Sequence, residues 1–238
     1  ILAGLIQHNA ASVLVLDMHN EYGFNDTSSD TGQSVPGLKE KFAERVRVVG
    51  LGRGTTIRNH TPDLHLEIYE SDIQPEDIEL LTRELNLKET TSTTLEALVH
   101  TFGHERWYTE FKNMANGAMT TDEDGKKVPA PGSVAYWANQ EGVNVAAAEG
   151  LHNKLRNVFN CPYIIERNPA DKGNINSLNN IIDTLKAGKH VVLSFGKNEQ
   201  DLDYLLGSIL LTRKIRESWE RMTNDFRSSG QNEPRPLV

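Results

Sequence analysis

Val13-Leu14-Val15-Leu16 is an unbroken apolar run that stops at an acid, Asp17. A short apolar run with polar ends reads as a strand buried on both faces. Such strands belong to parallel sheets covered by helices. A second run, Val191-Val192-Leu193-Ser194-Phe195-Gly196, has the same character. Helical patterns flank it, over Ile175 to Leu185 and over Gln200 to Arg227. Strands alternating with helices predict an α/β fold with a mostly parallel sheet. Ligands of such sheets bind beyond the carboxyl ends of the strands. Asp17, His19 and Glu21 follow the first run at alternate positions, so they stand where chemistry is expected.

Bulk properties narrow the class. A chain of 238 residues accommodates one large domain, or a core with an insertion. Formal net charge is −8, which argues against a protein that coats nucleic acid with a basic surface. It leaves room for a ring whose narrow channel is locally basic. Mean hydropathy is −0.50, and no apolar run approaches the roughly 20 residues of a membrane span. Cys161 is the only cysteine, so an internal disulfide and a cysteine-based zinc site are both excluded. A reducing cytoplasm is the expected location.

Taken in order, Ile1 to Asn9 reads as the end of a helix, Leu38 to Glu44 as a short helix and Val46 to Gly50 as a strand. Gly50-Leu51-Gly52-Arg53-Gly54 has the start of a dinucleotide loop, but Thr55 stands where the third glycine belongs and no helix follows. It reads as a plain turn. Leu64 to Ile68 alternates as a strand does. The character then changes. Helices are expected over Ser71 to Leu87, with Asp72 as cap and Pro75 just inside, and over Thr94 to Ala115. Further helices are expected over Ser133 to Asn139 and Val143 to Phe159. A polar loop, Thr120 to Gly132, turns at Asp124-Gly125. Residues 74–160 are therefore expected to form a helical insertion between core segments 1–73 and 161–238. Its aromatics read as its own small core. His100 and His104 have the spacing of helix-borne zinc ligands, but Thr101 occupies the place of the general-base glutamate. They read as surface histidines.

Asp17-Met18-His19-Asn20-Glu21-Tyr22 resembles the D-x-H-x-E-Y signature of the HerA family of hexameric DNA-translocating ATPases. The order around it is similar as well: helix, signature strand, insertion, helix, second strand, long helix, then Pro236 before a new apolar run. The resemblance implies an incomplete RecA-like P-loop ATPase core, with the phosphate loop before Ile1 and the Walker B acids after Val238. It implies ATP and Mg²⁺ as cofactors of the full-length protein, double-stranded DNA as substrate, a homo-hexameric ring, a NurA-like nuclease partner and a role in DNA end processing. No catalytic residue and no bound cofactor are expected within these residues, which alone should not hydrolyse ATP.

The same resemblance places Asp17, His19, Glu21 and Ser194 near the nucleotide. Lys197 and Arg213 are candidate phosphate or DNA contacts. On the long helix, Lys214 with Glu217 and Arg216 with Glu220 have ion-pair spacing, so that face reads as solvated. A conjugation or secretion ATPase of the same superfamily is the near alternative. From another class comes a metal-dependent hydrolase: if the strand stays extended through Glu21, the side chains of Asp17, His19 and Glu21 share one face.

Overall fold

The computed structural model describes residues 1–167, 177–197, 200–230 and 233–238. The chain divides into two compact units, one of residues 1–68 with 171–238 and one of residues 69–170.

The first unit is built on a four-stranded sheet: β1 (Leu14–Asp17), β2 (Val46–Leu51), β3 (Leu64–Leu66) and β4 (His190–Ser194). Their order is β1-β4-β2-β3, with every neighbour parallel. The last strand in the chain thus lies between the first two. Val192 pairs with Val15 and Val48, and Ser194 with Asp17 and Gly50. This is the α/β architecture expected of a RecA-like core.

Alternate side chains of a strand point to opposite faces. One face joins Val13, Val46 and Val192 to Ile6 and Leu38, which come from the helices Leu2–Gln7 and Leu38–Phe42. Toward the other face, the long helix Asp201–Ser229 comes close at Gly207, where an added Cβ would meet Phe195 and Leu51 at 3.4 and 3.6 Å. The helix Ser177–Lys186 buries Leu178, Ile181, Ile182 and Leu185, the apolar stripe of an amphipathic helix. At its start, the Ser177 hydroxyl exchanges hydrogen bonds with the main chain of Glu67, at 2.9 and 2.6 Å. The expected start of this helix, at Ile175, lies outside the described residues.

Strand β1 departs from the expectation of burial on both faces. Leu14, Val15 and Leu16 are only half-buried, whereas β4 is buried throughout. The reason is position, because β1 borders the sheet. The chain's last residues run beside its outer edge: the Ser12 and Leu14 amides donate to the carbonyls of Pro236 and Val238, at 2.9 and 2.8 Å. Ser12 and Leu237 form a parallel bridge.

The second unit is mainly helical, and two of its helices are shorter than the periodicity suggests. Ser71 to Leu87 is a 3₁₀ turn (Glu70–Asp72), a helix (Pro75–Glu79) and a run of turns. Gln74, not Asp72, is the cap residue, and its amide donates to Asp77 at 2.8 Å. After Glu79, the Thr82 hydroxyl donates to the Glu79 carbonyl at 2.5 Å, a local bond that competes with helix propagation. The expected Thr94–Ala115 helix is two, Thr90–Phe102 and Trp107–Asn113, broken at Gly103.

The loop over 120–132 contains an antiparallel ribbon of Met119–Thr121 with Lys127–Pro129. Helices Val134–Gln140 and Val145–Phe159 start at Ser133 and Asn144, whose side chains accept the amides of Tyr136 and Ala147. The aromatics do make this unit's own core. Tyr108, Phe111 and Phe159 meet edge to face, with His152 against Phe111 at 5.1 Å. Trp107 donates to the Ile73 carbonyl at 3.0 Å, and Tyr108 to that of Val158 at 3.2 Å. Burial, with Glu70 nearby, raises the Tyr108 phenol far above its ordinary value. His100 and His104 are exposed. Among the described residues, no helix is long and apolar enough to cross a membrane.

Candidate functional site

The carboxyl edge of the sheet is organised by one buried acid. Asp17, the last residue of β1, is 2% exposed. Its carboxylate accepts the Glu21 amide on Oδ1 at 2.9 Å and the Tyr22 amide on Oδ2 at 3.0 Å. Ser194, fully buried at the end of β4, donates its hydroxyl to the same Oδ2 at 3.2 Å. The sheet register brings these two residues together, since Asp17 and Ser194 are direct partners across the β1–β4 pair.

These bonds turn the chain sharply. Short acidic side chains favour such turns because they capture main-chain amides that would otherwise continue a ladder. The strand therefore ends at Asp17, and the extended Asp17–Glu21 segment required by the metal-hydrolase alternative does not exist. Among the described residues no cluster of three His, Cys, Asp or Glu side chains suits a metal ion. Asp17, His19 and Glu21 do not converge as that alternative requires. His19, Glu21 and Tyr22 project from the turn as exposed side chains.

Asn20 is left-handed, with φ +57°, a conformation this residue type tolerates. Its side chain accepts the Gly196 amide at 2.9 Å and donates to the Gly196 carbonyl at 3.1 Å. The turns after β1 and β4 are thus pinned together. Gly196 has φ +62°, and an added Cβ would sit 2.3 Å from the Thr55 methyl. Only glycine fits there. Beside this joint lies a crevice of about 390 Å³, lined by His19, Asn20, Phe195, Asp201 and Tyr204 among others.

A third loop leans on the turn. Ile57 and His60 exchange main-chain hydrogen bonds at 2.9 and 2.8 Å, closing a hairpin with Arg58 and Asn59 at its tip. Arg58 Nε donates to the Asn20 carbonyl at 2.5 Å, and its guanidinium pairs with Asp26. Neither Asn20 nor Arg58 was singled out from the sequence. Asn20 lies in a variable position of the signature, and the contact of Arg58 spans 38 residues that no local pattern connects.

The remaining candidates separate. Lys197 is exposed in the turn after β4. Arg213 stands twelve residues along the helix from Asp201, about 18 Å at the helical rise. It pairs with Glu217 at 2.7 Å, the acid whose spacing also suits Lys214. The Arg216–Glu220 pair forms at 2.9 Å as expected. Gly52 and Gly54 make the plain turn read from the sequence, both at positive φ, with no helix after them.

A search of curated proteins finds no match. Comparison with protein families matches residues 1–214 to the family described as "Helicase HerA, central domain". The match runs from the first helix, through the Asp17 turn and the β4 edge, into the long last helix. The chain therefore belongs to the HerA helicase central-domain family.

Proposed function

We propose that this chain is part of an ATP-driven, double-stranded DNA translocase of HerA type that works as a homo-hexameric ring in DNA end processing. Membership of a helicase family supports the ATPase class. The observation that carries the reading is the Asp17–Ser194 pair, which seats the signature turn on the carboxyl edge of a parallel sheet.

The donor set limits what each residue does. The Asp17 oxygens already accept three hydrogen bonds within the chain. Its role in this reading is to hold the turn rather than to ligate Mg²⁺ directly. His19 and Glu21 are the exposed groups it presents, and they face the nucleotide or a neighbouring subunit. The 238 residues contain no G-x-x-x-x-G-K-[ST] string, so in this reading the phosphate loop is not among them. ATP with Mg²⁺ supplies the phosphoryl group and the charge neutralisation of its transfer.

Charge is unevenly divided. Residues 69–170 hold 16 of the 33 acidic and 9 of the 25 basic residues, a formal −7. The other unit holds 17 and 16, a formal −1. DNA phosphates are attracted by basic groups, so the first unit is the one that approaches DNA. Lys197, in the turn after β4, is the candidate contact on the sheet edge.

The test is ATP hydrolysis by the full-length protein with and without duplex DNA. Wild type should be stimulated by DNA. Glu21→Gln should lower that activity by about 100-fold, the range of a lost proton-handling or water-orienting group, and leave nucleotide binding intact. The isolated 238 residues should show none. A full-length protein without DNA-dependent hydrolysis, or an unimpaired Glu21→Gln, overturns the reading.

A further inference from the structure

The carbonyl of Asn20 and the amide of Glu21 belong to one peptide unit. That unit is gripped at both ends by charged groups. Arg58 Nε holds its oxygen at 2.5 Å, and the Asp17 carboxylate holds its N–H at 2.9 Å. Hydrogen bonds to ionised partners are short and strong. Two on opposite ends of one peptide polarise it in the same sense and reinforce one another. The rotation of this plane is the ψ of Asn20 and the φ of Glu21, so it sets where Glu21 can point.

The hairpin that delivers Arg58 is costly to build. Arg58 and Asn59 both have positive φ, +49° and +66°, where a two-residue hairpin of this kind favours Asn-Gly. The base of the hairpin is well anchored without the tip. Ile57 is buried with Phe24 and Val48, and His60 stacks on Phe24 at 4.7 Å and reaches Asn25 at 3.0 Å. Nothing in that packing calls for arginine at the tip. The Arg58 side chain is only 30% exposed and lies along the Asn20–Asp26 segment. Strained backbone persists where the surrounding structure gains by it.

We propose that Arg58 is a positioning residue of this edge: together with Asp17 it locks the Asn20–Glu21 peptide, and so fixes the direction in which Glu21 is presented. The proposal rests on the HerA-type reading for its catalytic consequence, but the lock itself does not depend on it. Arg58 acts through the peptide.

The experiment separates backbone from side chain. Arg58→Gly removes the guanidinium and relieves the left-handed strain, and Arg58→Lys keeps the charge without the planar fork. Amide hydrogen exchange is measured on the 238-residue protein, and ATPase kinetics on the full-length protein. In Arg58→Gly, exchange of the Glu21 and Tyr22 amides should rise by about 10-fold, with a thermal midpoint equal to or above wild type. The kcat of the full-length variant should fall by about 10-fold with KM for ATP within about twofold, the pattern of a misaligned group rather than lost binding. Arg58→Lys should recover part of both. Unchanged exchange at Glu21 and Tyr22, or a lowered midpoint with uniformly faster exchange, overturns the proposal. If wild-type full-length protein hydrolyses no ATP, the functional reading fails alone, and the exchange measurement still decides whether the lock exists.

Discussion

At the scale of single residues, Asp17 decides the geometry of the edge, and its chemistry is specific enough to test. Two main-chain amides point at two different oxygens of one carboxylate. Asparagine offers one acceptor and one donor, so Asp17→Asn sets an NH₂ group against a buried or half-buried amide. Hydrogen bonds to charged groups contribute about 1.5–3 kcal/mol, and an unsatisfied amide costs about as much. Asp17→Asn should therefore destabilise the first unit by about 2–3 kcal/mol, read as a lower urea midpoint at unchanged slope. Ser194→Ala removes the hydroxyl that donates to Oδ2, and should cost about 1 kcal/mol. If Asp17 were instead a metal-facing acid free of the turn, Asp17→Asn would leave the urea midpoint unmoved and affect only nucleotide hydrolysis.

At the scale of elements, the sheet and the signature strand are legible because their signals are local. A continuous apolar run, a polar stop and a helix stripe all lie within a dozen residues. What the sequence hides are the breaks. Leu98, Phe102, Trp107 and Phe111 continue one apolar face across Gly103, because the two short helices return to the same aromatic core, where Phe102 and Phe111 both meet Trp137. The period survives although the helix does not. The rim position of β1 is hidden for a related reason, since its composition matches that of the central strands and only the pairing order exposes it. The Asn20 and Arg58 contacts are tertiary and leave no local trace.

Gly103 itself has φ +79° and ψ +163°, a region that is essentially glycine-only. No atom stands within 4 Å of an added Cβ, so the cost of alanine there is backbone strain alone. Gly103→Ala should destabilise the second unit by about 1–3 kcal/mol, followed by the fluorescence of Trp107 and Trp137 in urea. A neutral Gly103→Ala would mean that the two helices can fuse, and that packing rather than glycine sets the break.

At the scale of the whole molecule, each unit buries one histidine whose ring nitrogens reach no hydrogen-bond partner among the described residues: His152 and His190. Burial pushes the His152 imidazole below its ordinary value. The Arg156 charge adds to that, and the nearby carbonyls of Lys112, Phe111 and Met114 oppose it. Burial also lowers His190, with the Arg45 and Arg235 charges acting in the same direction. Both rings resist protonation in the fold, while in the unfolded chain they take up a proton near pH 6.5.

The unfolded state therefore binds more protons as pH falls below that value, so stability is full above about pH 6.5 and declines below it. Urea midpoints should drop between pH 7.5 and 5.5, followed by Trp107 and Trp137 in one unit and by Trp219 in the other. His152→Phe keeps an aromatic ring against Phe111 and Phe159 and removes the titration. It should flatten the pH dependence seen by Trp107 and Trp137 and leave that seen by Trp219 as steep as in wild type. Equal wild-type midpoints at the two pH values, or an undiminished slope at Trp107 and Trp137 in His152→Phe, would show that the acid sensitivity of this fold lies elsewhere than in its buried histidines.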